Sequence, residues 1–476
     1  MSLLYFFLGM VQYGFEHLLV EDITTGSASG TGFNADSSYT QSCMDELMAL
    51  QRCTPCQALP RPSVLTSITT PLRLEAWEQA LSTHPDRRFV EFLLKGIAEG
   101  FRIGYDYRHH FCKPARSNMK SAKEHASIVE TYLGEEVAAG RVIGPLEKES
   151  IPGLQISPFG VIPKSQPGKW RLILDLSLSS PDQFSVNDGI DKNLCSLKYI
   201  TMDNVAAAIS KCGRGALLGK IDIQSAFRII PVHPEDRRLL GMLWKDMVYI
   251  DTTLPFGLRS APKLFNSLAD ALQWIMKKKG VHWVAHYLDD FIFIGPPTSP
   301  ICGKSLQTAL EVCAETGTPV AYHKVEGPST CLIILGIEVD TVAMELRLPP
   351  EKLSRLKNLI REWRQRKACT LHDLQSLIGH LCHAAKVVHP GRRFLREMFN
   401  LLSHGKKKWH RLRLTAGFRA DLEWWHTFLS DWNGVSMMTQ PDLHSPDIQI
   451  FSDASGSWGC AAIWDNQWFQ VAWDSA

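Results

Sequence analysis

The chain carries almost no net charge: 51 Lys and Arg stand against 49 Asp and Glu in 476 residues, a formal +2. Taken whole, that missing positive excess speaks against a polyanion partner, because nucleic-acid binders are usually strongly basic. Long apolar runs are also missing. Leu3 to Val11 is too short to span a bilayer, no basic residue precedes it, and Glu16 and His17 follow, so neither signal peptide nor membrane anchor is expected. The 12 Cys lack the regular spacing of a secreted disulfide framework, which points to a reducing, intracellular compartment, cytoplasmic or nuclear. Cys53-Thr-Pro-Cys56, with Cys43 upstream, lacks a second ligand pair at finger spacing; His109, His110 and Cys112 are far away, and incidental cysteines are expected. The 33 Gly and 26 Pro are near average usage and exclude a collagen-like polymer, while 45% hydrophobic residues exclude a wholly disordered chain.

What is present divides the chain. Residues 1–70, rich in Ser, Thr, Gly and Pro from residue 21 onward, are expected to be mostly disordered. Helical spacing over Leu74, Trp77, Ala80 and Leu81, then Phe89, Phe92, Leu93, Ile97 and Phe101, makes 71–150 a helical lead-in, with a further helix over 124–139 stopped by Gly140. Strands are expected at Phe159 to Pro163, Arg171 to Leu176, Ala216 to Ile223 and Met247 to Asp251. Ser260 is placed to cap a helix with Pro262 in its first turn and an apolar face of Leu264, Phe265, Leu268, Leu272, Ile275 and Met276. Val281 to Ile294 reads as two apolar strands flanking acids, 351–435 as basic, Trp-rich helices, and Ile448 to Trp473 as short strands.

Tyr287-Leu-Asp-Asp290 is a local conflict, since two adjacent carboxylates sit between runs that demand burial. Charges at the edge of a core are costly unless paired or bound to metal; the plain alternative is a hairpin turn, where Asp is common. A second strand, Ala216 to Ile223, presents Asp222. Carboxylates on two strands can lie side by side, which suits two divalent cations about 3.5–4 Å apart in phosphoryl transfer. A site of Asp222, Asp289 and Asp290 without His or Cys favours Mg2+, with Mn2+ as the substitute.

The order of the remaining segments carries a family resemblance. Ser157-Pro-Phe-Gly-Val-Ile-Pro-Lys164 followed by Lys169-Trp-Arg171-Leu-Ile-Leu-Asp175 resembles the fingers motif of reverse transcriptases. Asp222 to Phe227 is similar to their first palm motif, Leu254-Pro-Phe-Gly-Leu-Arg-Ser-Ala-Pro262 to the second, Tyr287 to Asp290 to the third, and Leu335-Gly336 to the primer-gripping turn. The resemblance runs from about 71 to the C-terminus, its motifs spanning 157–340. Leu174-Asp-Leu-Ser177 with Ser185-Val-Asn-Asp-Gly-Ile190, and Pro85-Asp-Arg-Arg with Gly100-Phe-Arg-Ile-Gly104, look most like DIRS- and Ngaro-type retroelements, with gypsy-like elements next.

That resemblance implies an α+β right-hand polymerase: fingers and palm over 151–345, a helical basic thumb and connection over 346–440, and a truncated ribonuclease H-like start over 445–476. It implies an RNA-directed DNA polymerase that binds an RNA/DNA primer-template and deoxynucleoside triphosphates, with no membrane partner. Asp222 and Asp289 would ligate two Mg2+, with Asp290 shaping the site. Lys164 and Arg171 would hold the triphosphate, Phe227 would exclude a 2′-hydroxyl, and Phe256, Gly257 and Tyr287 would line the nucleotide site. Many family members carry Gln at the Phe256 position, so packing is expected there rather than polar contact. Lys324 is the candidate proton donor to pyrophosphate, and Leu335 and Gly336 would grip the primer. Trp363, Trp409, Trp424 and Trp425 would be the aromatics among the duplex-binding cations. Asp453 matches the first ribonuclease H ligand, but only Asp465 and Asp474 follow it, neither placed like the next ligands, so hybrid degradation by this chain alone is not expected. The competing readings are an inactive retroelement remnant that binds nucleic acid, and a two-metal nuclease.

The charge balance resolves by position. Residues 351–420 hold 17 Lys and Arg against 4 Asp and Glu, an excess of +13 that leaves −11 for the remainder. A near-neutral total thus hides a strongly basic segment suited to a polyanion.

Overall fold

The structure, a computed structural model, describes residues 41–52, 65–107, 117–163, 168–178, 184–405, 410–437, 450–455, 458–464 and 467–473. The chain opens with helices α1 (Gln41–Gln51), α2 (Leu74–Ala80), α3 (Arg87–Glu99), α4 (Lys120–Glu124) and α5 (Ala126–Ala138). The α3 helix starts where the Asp86 side chain accepts from Phe89 N, ends at Gly100 with φ +87, and buries Phe89, Val90, Leu93 and Ile97. The α1 helix lies within 1–70, the segment expected to be mostly disordered. Met44, Leu47 and Leu50 occur at three-residue spacing and are buried in the main core, enough apolar surface to order a segment that looked polar on average.

Strands β1 (Val142–Leu146), β2 (Phe159–Pro163) and β3 (Trp170–Leu174) follow, then α6 (Met202–Cys212), β4 (Leu217–Asp222), β5 (Gly241–Trp244) and β6 (Met247–Asp251). β2 and β3 form an antiparallel hairpin, and β1, β6 and β5 a three-stranded sheet. Next come α7 (Ala261–Lys278), β7 (Val284–Tyr287), β8 (Asp290–Gly295), α8 (Ile301–Thr316) and β9 (Glu326–Ser329). All six expected face residues of α7 are buried. Ser260, however, does not cap it: the hydroxyl donates to Ile103 O at 2.8 Å and ties the helix start to the lead-in.

The sheet β7-β8-β4-β9 lies between two cores. Along β8, Phe291 and Phe293 face the core shared with α7 and α8, while Ile292 and Ile294 face a second core. A strand alternates its side chains between faces, so burial on both sides requires the continuous apolar run Phe291 to Ile294. The second core is completed by β10 (Cys331–Ile334), β11 (Ile337–Asp340), β12 (Glu345–Arg347), α9 (Pro350–Gln365), β13 (Ala368–Thr370), α10 (Leu371–Ala384), α11 (Arg396–Ser403), β14 (Arg411–Arg413), α12 (Ala416–Asp431) and β15 (Val435–Ser436). Thr370 and Asp373 close a reciprocal cap at the start of α10. Finally β16 (Ile450–Ala454), β17 (Gly459–Trp464) and β18 (Gln467–Ala472) form an antiparallel meander. No helix among the described residues is long and apolar enough to cross a membrane.

Candidate active site

The central sheet brings the acidic residues together. Asp222 ends β4 opposite Asp290, the first residue of β8, and Ile223 N donates to Asp289 O at 2.9 Å. β7 and β8 pair through Tyr287 and Asp290, leaving Leu288 and Asp289 as the two-residue loop. Leu288 takes φ +52, a region costly for a residue with a Cβ, and its side chain is buried, so packing holds the strained turn in place. Ser225, just beyond β4, is likewise left-handed at φ +56.

Burial and mutual repulsion govern these carboxylates. Desolvation, then the charges of Asp290 and Asp222, push Asp289 up to about 7. Asp290 is raised for the same reasons, burial first and Asp222 second. Tyr287 is raised by burial and by both neighbouring aspartates, and its ring lies 4.6 Å from that of Tyr199. Lys324 Nζ donates to Asp222 Oδ2 at 2.7 Å, an ammonium held against the acidic cluster rather than free beside it. Among the described residues, no three metal-ligating side chains are already drawn into a cage. The donor set nevertheless fits a hard dication: carboxylate oxygens only, whose burial and mutual repulsion a bound cation would relieve.

Arg171 on β3 lies with its guanidinium 4.5 Å from the Phe256 ring centroid. Burial lowers its pKa, and the negative charge of Asp289 works in the opposite direction. Phe227 is 9% exposed and its ring lies 5.5 Å from Phe256 and 5.9 Å from Phe265. Phe256 therefore packs, as its departure from Gln suggested. Gly257 adopts φ +101, and a Cβ there would sit 2.4 Å from Leu174 O, so only glycine lets this loop approach β3. Lys164 lies outside the described residues.

Sequence reasoning missed Asn187 as a site residue. Its buried amide donates to Gly257 O and Ser177 Oγ, both at 2.8 Å, and its Oδ1 accepts from Arg259 N at 2.9 Å. Asn187 thereby pins the Gly257 loop to the segment after β3. It stood inside the motif Ser185 to Ile190, but nothing local announced a partner 70 residues away.

Leu335 and Gly336 form the two-residue turn between β10 and β11, with φ +48 and +77. Positive φ at both positions is the pattern of a type I′ turn, where glycine is favoured and leucine is strained. Lys352 Nζ donates to Gly336 O at 3.0 Å, and His383 Nε2 lies 3.5 Å from Leu335 O. Burial, then Lys352 and Lys386, depress His383 to about 4, so its ring is neutral at pH 7.

The tryptophans require a correction. Trp363 and Trp425 are 2% and 0% exposed and belong to the second core, so neither ring is available to a duplex. Helical amphipathicity places these rings inward, with cations such as Arg355, Arg361 and Arg364 on the outer face. Trp424 stacks on Phe394 and Phe428 at 4.0 and 4.6 Å, while Trp409 lies outside the described residues. Lys367, Arg411, Arg413 and Arg419 line an open cavity of about 680 Å³ with no acid among its lining residues. Asp453 is exposed on β16; its Oδ1 accepts from Ala454 N at 2.9 Å, and Asp465 and Asp474 lie outside the described residues.

Residues 162–339 match the family model for reverse transcriptase (RNA-dependent DNA polymerase). Polyprotein P3 of Commelina yellow mottle virus is 24% identical over 317 residues, which is 66% of this chain but only 15% of that protein. Among solved structures, the foamy viral protease-reverse transcriptase in complex with RNA/DNA hybrid matches 88% of this chain and 54% of its own, with TM-score 0.52 at 16% identity. The same protein in complex with dsDNA matches 87% of this chain and 80% of its own, with TM-score 0.50 at 17% identity. The similarity in structure is one of fold. The family match makes residues 162–339 similar to a reverse transcriptase domain, and the solved structures share its fold.

Proposed function

We propose that this chain is an RNA-directed DNA polymerase of a retroelement, transferring a nucleotidyl group onto a primer 3′-hydroxyl. The observation that carries the reading is the meeting of Asp222 with Asp289 and Asp290 at adjacent strand ends within the matched domain. On this reading the central sheet is the palm, the β2–β3 hairpin belongs to the fingers, and the helices from α9 onward form thumb and connection. DIRS- or Ngaro-type origin, and a ribonuclease H-like origin for β16 to β18, belong to the same reading.

In the reaction, the primer 3′-oxygen bonds to the α-phosphorus, the bond to pyrophosphate breaks, the hydroxyl loses a proton and the leaving group gains one. Asp222, Asp289 and Asp290 would hold magnesium, which when bound neutralises charge on the transferring phosphate. Arg171 is placed to grip the triphosphate, with Lys164 as its sequence-predicted partner. Phe227 supplies a wall, stiffened by Phe256 and Phe265, against a ribose 2′-hydroxyl. Gly257, which lets its loop close on β3, would line the nucleotide site, and Tyr287 abuts the carboxylates. Lys324 would release Asp222 and donate the proton to pyrophosphate; Leu335 and Gly336 would contact the primer end. A partner duplex would lie along the basic helices.

Primer extension on oligo(dT)–poly(rA) with magnesium tests the assignment. Incorporation by wild type and none by Asp289→Asn is expected. A folded wild type that binds duplex without extending it would instead mark a binding-only remnant.

A further inference from the structure

The two backbone carbonyls of the Leu335–Gly336 turn are met by donors from far along the chain. Lys352, in the first turn of α9, reaches Gly336 O at 3.0 Å; His383, at the end of α10, stands 3.5 Å from Leu335 O, a longer and weaker contact. The turn is half-buried, where water can still serve its carbonyls, so two protein donors converging on it do more than satisfy hydrogen bonds: they fix where it stands. Gly336 is shaped around them: a Cβ there would lie 2.2 Å from Lys352 Nζ and 3.2 Å from His383 Nε2.

The same turn is tethered on its other side. Lys220 Nζ donates to Ile333 O at 3.0 Å, and Lys220 lies two residues before Asp222 on β4. One hairpin therefore links the strand that carries an aspartate of the site to two helices of the basic unit. Those helices do not need the contact in order to dock. Leu356, Ile360 and Trp363 of α9, and Leu374, Leu377, Ile378 and Leu381 of α10, already share a core with Leu218 and Ile294 of the sheet. Apolar burial is non-directional and sets only that the helices dock. Directed hydrogen bonds to two successive carbonyls set where the turn stands.

We propose that Lys352 and His383 are positioning residues that clamp the Leu335–Gly336 turn at a fixed distance from Asp222, and thereby place the primer terminus for attack. The assignment rests on the polymerase reading above. Displacing a reacting group by about 1 Å costs on the order of 100-fold in rate, so loosening the clamp acts on the chemical step. The bound nucleotide and the length of duplex on the basic helices are touched elsewhere.

Single-turnover extension on a pre-formed primer-template separates these effects. Lys352→Met is expected to lower the maximal extension rate roughly 10-fold, with nucleotide and duplex dissociation constants within about 2-fold of wild type. Lys352→Arg, which keeps a charged donor, recovers most of the rate. His383→Gln, whose amide can still donate to Leu335 O, keeps more rate than His383→Leu. A Lys352→Met enzyme with an unchanged rate overturns the clamp, as does one whose only change is weaker duplex binding. An inactive but folded wild type would overturn the polymerase reading itself. In that case, unchanged hydrogen exchange at the Gly336 and Ile337 amides in Lys352→Met would overturn the clamp separately.

Discussion

Among the described residues, the sheet that carries Asp222 and Asp290 and the sheet that carries Asp453 stand in opposite surroundings. The central sheet buries Phe291 and Phe293 in one core and Ile292 and Ile294 in another, and brings Asp222, Asp289 and Asp290 together at the ends of its inner strands. The sheet from 450 to 472 leaves Phe451, Ile463, Trp468, Phe469 and Val471 between 45% and 70% exposed, with Asp453 in open solvent. Both follow the same pattern of apolar strands with an acid near one end. Two packed faces give a carboxylate its neighbours and strip its water; bare faces give it neither. The chemistry of an aspartate here is set by what covers the sheet on which it stands.

The sharpest way to break that contrast is to neutralise the covered acid. Asp289→Asn should lower incorporation by at least about 1,000-fold in primer extension, since it removes a residue assigned to hold magnesium. The same change should stabilise the fold. Asp289 is raised from 3.8 to about 7 in the folded chain, so its contribution is fully present below pH 4 and is lost as pH rises through 7. Without divalent cations at pH 8, the variant is expected to melt above wild type, by on the order of 1 kcal/mol after allowing for solvent screening. Equal melting temperatures at pH 8 would refute the repulsion described here.

A comparison of packing comes next. Phe291→Ala should cost about 3–5 kcal/mol in denaturant unfolding. Phe469→Ser on the exposed sheet should move stability by less than about 0.5 kcal/mol, while reducing concentration-dependent association in sedimentation. Similar losses for both would show that the second sheet is covered in solution. Phe227→Val should raise ribonucleotide incorporation relative to deoxynucleotide incorporation about 10-fold or more; an unchanged ratio would assign this ring to packing alone. The smallest effect belongs to the basic unit. Removing Arg411 and Arg413 together should lower the slope of log affinity against log salt for a duplex by about 1–2, if both meet phosphates.

Sequence made local structure legible where pattern and chemistry coincided. Strands at Phe159–Pro163 and Met247–Asp251 stand where the sequence put them, and the acids of Tyr287 to Asp290 meet at a hairpin turn, Asp289 in the loop and Asp290 opening β8. What stayed hidden depends on pairs distant along the chain. Nothing near Lys324 pointed to Asp222, which lies 102 residues away. Nothing near Ser260 said that its hydroxyl would turn from the helix to Ile103. Composition misled at both ends of the argument. It hid α1 inside a polar lead-in, and it counted Trp363 and Trp425 among nucleic-acid contacts when helical phase turns both into the core.

The left-handed residues around the site have a consequence for anyone who engineers this chain. Ser225, Leu288 and Leu335 each hold φ between +48 and +56 without being glycine, and they stand beside Asp222, Asp289 and the clasped turn. Each conformation costs on the order of 1–3 kcal/mol, and at Leu288 burial of the side chain holds it in place. A library screened for heat resistance alone will be drawn to these three positions, where relaxing the backbone is rewarded. It will then enrich sturdy proteins that have given up the geometry of their own active site.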